Sequence, residues 1–357
     1  MLFRSRAALA ALRFPSRCDK TYVSLESPTL TSTYNQAHHR FALLLASCTL
    51  LLLVAGALVT SNDAGLAVPD WPTSFGSIYK IPPMVGGVRF EHSHRMVAEL
   101  IGLLTIVMAL WTWRAESRRW MRRLALGALA LVIFQGVLGG TTVLNYLPPA
   151  VSSAHATFAQ TFFCVAVLMA LFTSRSWTEA SRLRLHDEGT PGLRTLSVVL
   201  IVALYAQLIL GAAFRHVWTK LGPGGANRIA ASEILGTYLV PHIVNAVLVT
   251  MLLIWVATHV LARYGDIPPL RRPATVLLFL VAAQLMLGFG AYLARVEWGR
   301  DAAQPHPFMV WSTVAHVVTG AAVLATSVVL TAQVYRHLLS QEQEQLAREA
   351  GKAAAGI

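Results

Sequence analysis

The chain of 357 residues is 55% hydrophobic and only 13% charged, with a mean hydropathy of +0.55, which excludes an ordinary soluble domain and points to a polytopic helical membrane protein. Its formal net charge of +12 is no sign of nucleic-acid binding, because the arginines fall in short segments between apolar runs, where they act as topology signals. Three cysteines, Cys18, Cys48 and Cys164, make neither a disulfide framework nor a thiolate metal site.

Residues 1–40 carry Arg4, Arg6, Arg13 and Arg17 with an apolar patch too short for a signal peptide, and are expected to form a cytoplasmic tail. Eight apolar segments follow, centred near residues 50, 103, 133, 164, 204, 248, 284 and 324, each long enough to span a bilayer. Of the 29 lysines and arginines, 21 lie at the termini and at alternate connections, which places both termini in the cytoplasm by the positive-inside rule.

The first span, from about Phe41, exits into an outer loop containing Pro69-Asp70-Trp71-Pro72. Two prolines around Asp-Trp cannot continue a helix, so this stretch is either an interfacial tryptophan anchor or a lid over a site at the outer surface. The second span opens with Glu91-His92-Ser93-His94-Arg95. Glu91 and His94 are three apart and share a helix face, and Ala98 and Gly102 line the face below the histidine with small side chains, leaving room for a flat cofactor. Arg95 and Glu99 have the spacing of an ion pair, and Arg95 is alternatively placed to meet a carboxylate of such a cofactor.

The same pattern opens three later spans, where His155 is followed at i+4 by Ala159, His242 by Ala246 and His316 by Gly320. Before each of these, spans three, five and seven carry Gln-x-x-Leu-Gly, at Gln135–Gly139, Gln207–Gly211 and Gln284–Gly288. This internal repetition is the mark of a duplicated membrane fold. The expected fold is all-α, with eight transmembrane helices in two pseudo-symmetric four-helix bundles, residues 41–175 and 193–337, an inner linker at 176–192 and a cytoplasmic tail at 338–357.

Every even-numbered span starts at the outer face, so the motif histidines lie near one surface and pair within halves, His94 with His155 and His242 with His316. Two histidines on neighbouring helices are the usual way to hold a b-type heme from both sides. His38, His39 and His186 are read as polar-segment residues, His259 and His337 as inner helix ends, and His216 and His306 as outer-loop residues. The acid three residues before a motif histidine occurs once: Ser152, Leu239 and Thr313 occupy the positions equivalent to Glu91. Such a carboxylate acts as a base or stabilises positive charge near a heme edge, or merely caps its helix. Arg215 and Lys220 offer the second half a carboxylate contact like that of Arg95.

These residues together, Pro69-Asp70-Trp71-Pro72, Glu91-x-x-His94-Arg95, the glycine-rich third span, His155, His242 and His316 over eight spans, resemble the heme A synthase family. The resemblance covers about residues 41–337. It implies oxidation of the C8 methyl group of heme O to a formyl group through successive hydroxylations, giving heme A for terminal oxidases. It also implies substrate heme O at His94 and His155, a heme b cofactor at His242 and His316, and a functional role for Glu91. A bacterial inner-membrane location follows, with an electron-transfer partner and a farnesyltransferase that makes heme O as possible partners. Many bacterial members have a cysteine pair in the first outer loop; none lies between Ser61 and Phe90 here. The competing reading is a two-heme b-type electron carrier without a product, against which the one-sided Glu91 speaks. A transporter built on repeats fits less well, since the midplanes of the spans carry few ionisable groups.

Overall fold

The computed structural model describes residues 34–180, 182–187, 189–221, 232–298 and 305–339. Among them eight helices are long and apolar enough to cross a membrane: α1 Gln36–Ser61, α2 Val88–Ala115, α3 Arg119–Leu144, α4 Pro149–Thr173, α5 Leu193–Leu221, α6 Val240–Tyr264, α7 Pro268–Tyr292 and α8 Pro307–His337. The chain is an all-α, multi-pass membrane protein, as an apolar solvent requires of a chain whose backbone groups must be satisfied within each segment. One-turn π segments, Leu235–Leu239 and Leu293–Glu297, precede α6 and follow α7.

Helix starts follow local chemistry. Prolines stand in the first turns of α4, α6, α7 and α8, where a missing N–H costs nothing. The first helix begins at Gln36, ahead of the expected Phe41, because the Asn35 side chain accepts the His38 N–H at 3.1 Å and caps it. His38 and His39 are therefore helical, and His38 is buried with its Nε2 3.0 Å from Thr112 Oγ1 of α2. His216 is likewise on a helix rather than in a loop, since α5 runs on to Leu221. His306 caps α8, its Nδ1 accepting the Met309 N–H at 3.3 Å.

The helices pack as two rings. In the first, α1 and α3 each contact α2 and α4; in the second, α5 and α7 each contact α6 and α8. The rings meet where α4 touches α5, α1 touches α8, and α4 touches α8. Leu45, Ile101, Met108, Met121 and Met169 fill the first core, and Leu200, Leu253, Leu270, Leu277 and Leu324 the second. α4 serves both: Phe162, Ala166 and Met169 face the first core, while Phe163 and Cys164 belong to the second. Large side chains such as Leu103, Ile133, Val202, Phe279 and Met286 are exposed on the outer faces of the helices, as lipid contact allows.

At the end away from the histidines the segment between α4 and α5 is pinned to the end of α8. Arg336 donates to Trp177 O at 2.7 Å and Ala180 O at 2.8 Å, and Leu183 N–H donates to His337 Nδ1 at 3.1 Å. At the histidine end, Arg215 of α5 and Arg295 after α7 converge on Asp63 just beyond α1, at 3.3 and 3.8 Å. The two rings are thus tied at both ends by arginines whose acceptors are mostly backbone carbonyls.

Candidate functional site

The four motif histidines stand in the N-terminal parts of α2, α4, α6 and α8, all at one end of the rings. Each imidazole lies against a glycine of the preceding odd-numbered helix. A Cβ built on Gly56 would meet His94 Cε1 at 3.1 Å, one on Gly139 would meet His155 Cε1 at 3.3 Å, on Gly211 His242 Cε1 at 2.7 Å, and on Gly288 His316 Cε1 at 3.0 Å. The last three are the glycines of the Gln-x-x-Leu-Gly repeats, so that signal, read in the sequence as internal symmetry, marks the seats of the rings. Gly56 carries no such signature and was not legible.

In the second ring, His242 and His316 have ring centres 6.5 Å apart and planes at 80°. Two imidazoles bound to one metal through nitrogens about 2 Å from it have ring centres roughly 6–6.5 Å apart. In the first ring, His94 and His155 lie within electrostatic reach of one another. The Nδ1 atoms of His94, His155 and His316 are buried and without a hydrogen-bond partner, although a buried polar atom normally has one. Among the described residues no three His, Cys, Asp or Glu side chains converge, so the donors come in pairs. Gly102, Gly136 and Gly290 have nothing within 4 Å of where a Cβ would sit. Paired imidazoles with orphaned ring nitrogens, each seated on a glycine, fit a flat iron-bearing ring held from two sides.

Glu91 is 3% exposed and does not cap its helix. Its Oε2 accepts the Val68 N–H at 2.8 Å and its Oε1 pairs with Arg95 at 2.6 Å. Arg95 therefore pairs with Glu91 rather than with Glu99, which stays exposed. The remaining terminal hydrogens of Arg95 go to the carbonyls of Asp70 at 2.6 Å, Thr73 at 2.9 Å and Val68 at 2.9 Å. All four are thus spent on Glu91 and the loop. The loop is drawn onto α2, and only a glycine fits at Gly87, where a Cβ would lie 2.9 Å from Ala67 Cβ. The Trp71 indole packs on Gly140 of α3, one residue beyond the seat of His155, so the Pro-Asp-Trp-Pro segment touches α3 as well as α2.

Asp70 organises the tip of that loop. Desolvation pushes its carboxyl up, but the Gly76 N–H at 2.8 Å, the Thr73 hydroxyl and the Phe75 N–H at 2.8 Å together hold it down to about 2. A depressed folded-state value means that this support is fully present above the ordinary aspartate range and is lost as pH falls toward 2. Pepsin cleavage between residues 70 and 80 in detergent is expected to stay slow at pH 4 and accelerate toward pH 2, and in Asp70→Asn to be fast at both.

Arg215 donates to Thr60 O, to Thr219 Oγ1 and, at 3.3 Å, to Asp63, while Arg295 donates to Ser61 O at 3.2 Å. The Nε atoms of both are buried without a partner. Two guanidinium groups thus face a single, partly exposed carboxylate, and this excess of positive charge next to the second ring suits an anionic group. Sequence reading found Arg215 but not Arg295, which is far from it in the chain.

An eight-helix membrane protein presenting paired histidines at one end of two helix rings is the class that this fold and site define. The chain belongs to the COX15-CtaA family, described as cytochrome oxidase assembly protein, whose model matches residues 88–303. The match includes Glu91, His94, His155 and His242; His316 lies beyond it. The chain is 31% identical over 272 residues to the heme A synthase of Symbiobacterium thermophilum, covering 69% of this chain and 83% of that one. It is also 26% identical over 246 residues to the heme A synthase of Alkalihalophilus pseudofirmus, covering 67% and 82%.

Proposed function

We propose that this chain is a heme A synthase, a membrane oxidoreductase that converts the C8 methyl group of heme O to a formyl group. The observation that carries the reading is the pair of glycine-seated histidines in each ring, facing one another at His242 and His316, with an acid three residues before only one of the four, His94. In this reading residues 41–175 form the substrate half and residues 193–337 the cofactor half. His94 and His155 hold the substrate heme; His242 and His316 hold a heme b. The protein sits in the cytoplasmic membrane of a bacterium with both termini inside, takes heme O from a farnesyltransferase or the surrounding lipid, and exchanges electrons with a redox partner.

When bound, heme b supplies one-electron transfer between the substrate half and that partner. The chain's own residues do the rest. Glu91, ionised against Arg95 and screened from water by the 68–73 segment, is placed to take a proton released during hydroxylation and to stabilise positive charge on the substrate. Two hydroxylations of the same carbon give a gem-diol, which loses water to leave the aldehyde. Arg215 and Arg295, with their unpartnered Nε atoms, suit the carboxylates of the heme in the second half.

The test is expression in a host that makes heme O but no heme A, followed by chromatography and mass analysis of the extracted pigments. Heme A or its hydroxylated precursor is the expected product; only heme B and heme O from a folded, heme-loaded protein supplied with an electron partner would favour the carrier reading. The glycine seats give a second check. Gly211→Ala puts a Cβ 2.7 Å from the His242 ring and must displace it, so heme b affinity is expected to fall by about tenfold or more, since small misplacements at a site are costly. Gly236→Ala, which meets nothing within 4 Å, is the control; heme b content after gel filtration reads the difference.

A further inference from the structure

The segment between α1 and α2 does not ride above the helix ends. Ser74 Oγ stands 3.1 Å from His92 Nδ1, the carbonyls of Asp70 and Thr73 accept from Arg95 at 2.6 and 2.9 Å, and Trp71 packs on Gly140 of α3. At a rise of about 1.5 Å per residue, the 28 residues of α2 and the 26 of α3 reach about 42 and about 39 Å, against a hydrocarbon core of about 30 Å. A core centred on these helices begins about three to four residues in from either end, near His92 in α2 and Gly140 in α3. Residues 70–74 are therefore held at the edge of the hydrocarbon rather than in the water beyond it.

They are also held on the lipid side. His92 and His94 lie about 160° apart around α2, so Ser74 sits on the face turned away from His94, and Met96, one turn below His92, is exposed on that same face. The residues that follow expose Phe75, Ile78, Tyr79, Ile81 and Val85, with Ile78 79% and Tyr79 90% accessible. Between Trp71 and Phe90 there is no acid, and the cations are Lys80 and Arg89. The N–H groups of Ser74, Phe75, Gly76, Ser77, Tyr79 and Lys80 are bonded within the loop, which lets this turn leave water. An apolar run of this size is unusual on a surface that faces water, whereas tyrosine and lysine beside aliphatic side chains suit the headgroup boundary of a bilayer.

We propose that residues 75–85 are a membrane anchor, inserted into the lipid leaflet on the histidine side. Phe75, Ile78 and Ile81 enter the acyl boundary, and Tyr79 and Lys80 stay among the headgroups, where the excess of positive charge meets lipid phosphates. Asp70 connects this anchor to the site. Its carboxylate accepts the N–H groups of Phe75 and Gly76 at 2.8 Å, and its carbonyl accepts from the Arg95 that pairs with Glu91. Lipid thus steadies from outside the same loop that Arg95 holds from inside, and the surroundings of Glu91 are tied to the bilayer.

The test uses the full-length protein in lipid nanodiscs, with its native cysteines replaced by alanine and a bimane fluorophore on a single new cysteine. Ile78→Cys and Tyr79→Cys report on the anchor. Met286→Cys, on the lipid face of α7, and Asn145→Cys, exposed just beyond α3, are the references for lipid and for water. Phospholipid brominated on its acyl chains is expected to quench the probe at 78 as it quenches that at 286, and aqueous iodide to quench the probe at 145 but not that at 78, with position 79 between the two. Quenching at 78 and 79 like that at 145 overturns the anchor. So does protection from both quenchers, which would mean that protein, a second copy or a partner, covers the loop. Ile78→Asp is a second measure: in nanodiscs it is expected to release the loop to protease, whereas Ile78→Leu is not, and equal protection in both variants would contradict insertion.

Discussion

Replacing Glu91 with alanine is expected to leave both hemes bound while product formation falls by about 100-fold or more, the scale of a lost catalytic base or charge-stabilising group. The structure adds a second consequence. Glu91 is the counter-ion of Arg95 and the acceptor for Val68 N–H, so its removal strands a mostly buried guanidinium and frees the loop. Removing one partner of a buried pair costs about 3–5 kcal/mol; because Arg95 keeps its three backbone carbonyls, the lower end is expected, read as a fall in the thermal midpoint in detergent. Three variants separate chemistry from clamping. Glu91→Gln keeps an acceptor for Val68 N–H but has no charge, so it should lose activity as Glu91→Ala does while keeping more of the stability. Arg95→Ala should expose the loop to protease. If Glu91→Gln turns over at the wild-type rate, the carboxylate is a loop clamp and not a base.

His242→Ala and His316→Ala are expected to lose the heme of the second half and keep that of the first. The two imidazoles are 6.5 Å apart, and among the described residues no third metal-binding side chain joins them. With one ligand gone, nothing else in the ring is placed to substitute. Product formation should then fall because the electron path is cut, even though Glu91, His94 and His155 are untouched. Pigment extraction and the ratio of heme to protein check the first point, and heme O accumulating in the first half checks the second. Loss of both hemes from either variant would contradict the assignment of one pair to each ring.

The membrane class and all eight spans were legible because a span is a local property: about 20 apolar residues are apparent in any window that contains them. The recurrence of histidine at the head of alternate spans was legible for the same reason. Boundaries set by capping were less so, as the early start of α1 at Gln36, capped by Asn35, shows. His216 was misplaced because a polar stretch of helix near a membrane surface has the composition of a loop.

Pairing across the chain was not legible. Glu91 and Arg95 stand one helical turn apart, yet what they hold is Val68, Asp70 and Thr73, which a turn of irregular backbone delivers to α2. The seats of the histidine rings depend on the rotation of one helix against its neighbour, and the meeting of Arg215 and Arg295 at Asp63 depends on where two rings touch. The sequence by itself determined what lies in the membrane, which end carries the histidines and that one of them has an acid beside it, since these follow from composition and helical period. Only the tertiary structure decided which glycine each ring rests on and what holds Glu91, because such contacts arise between segments whose relative rotation and depth no local pattern encodes.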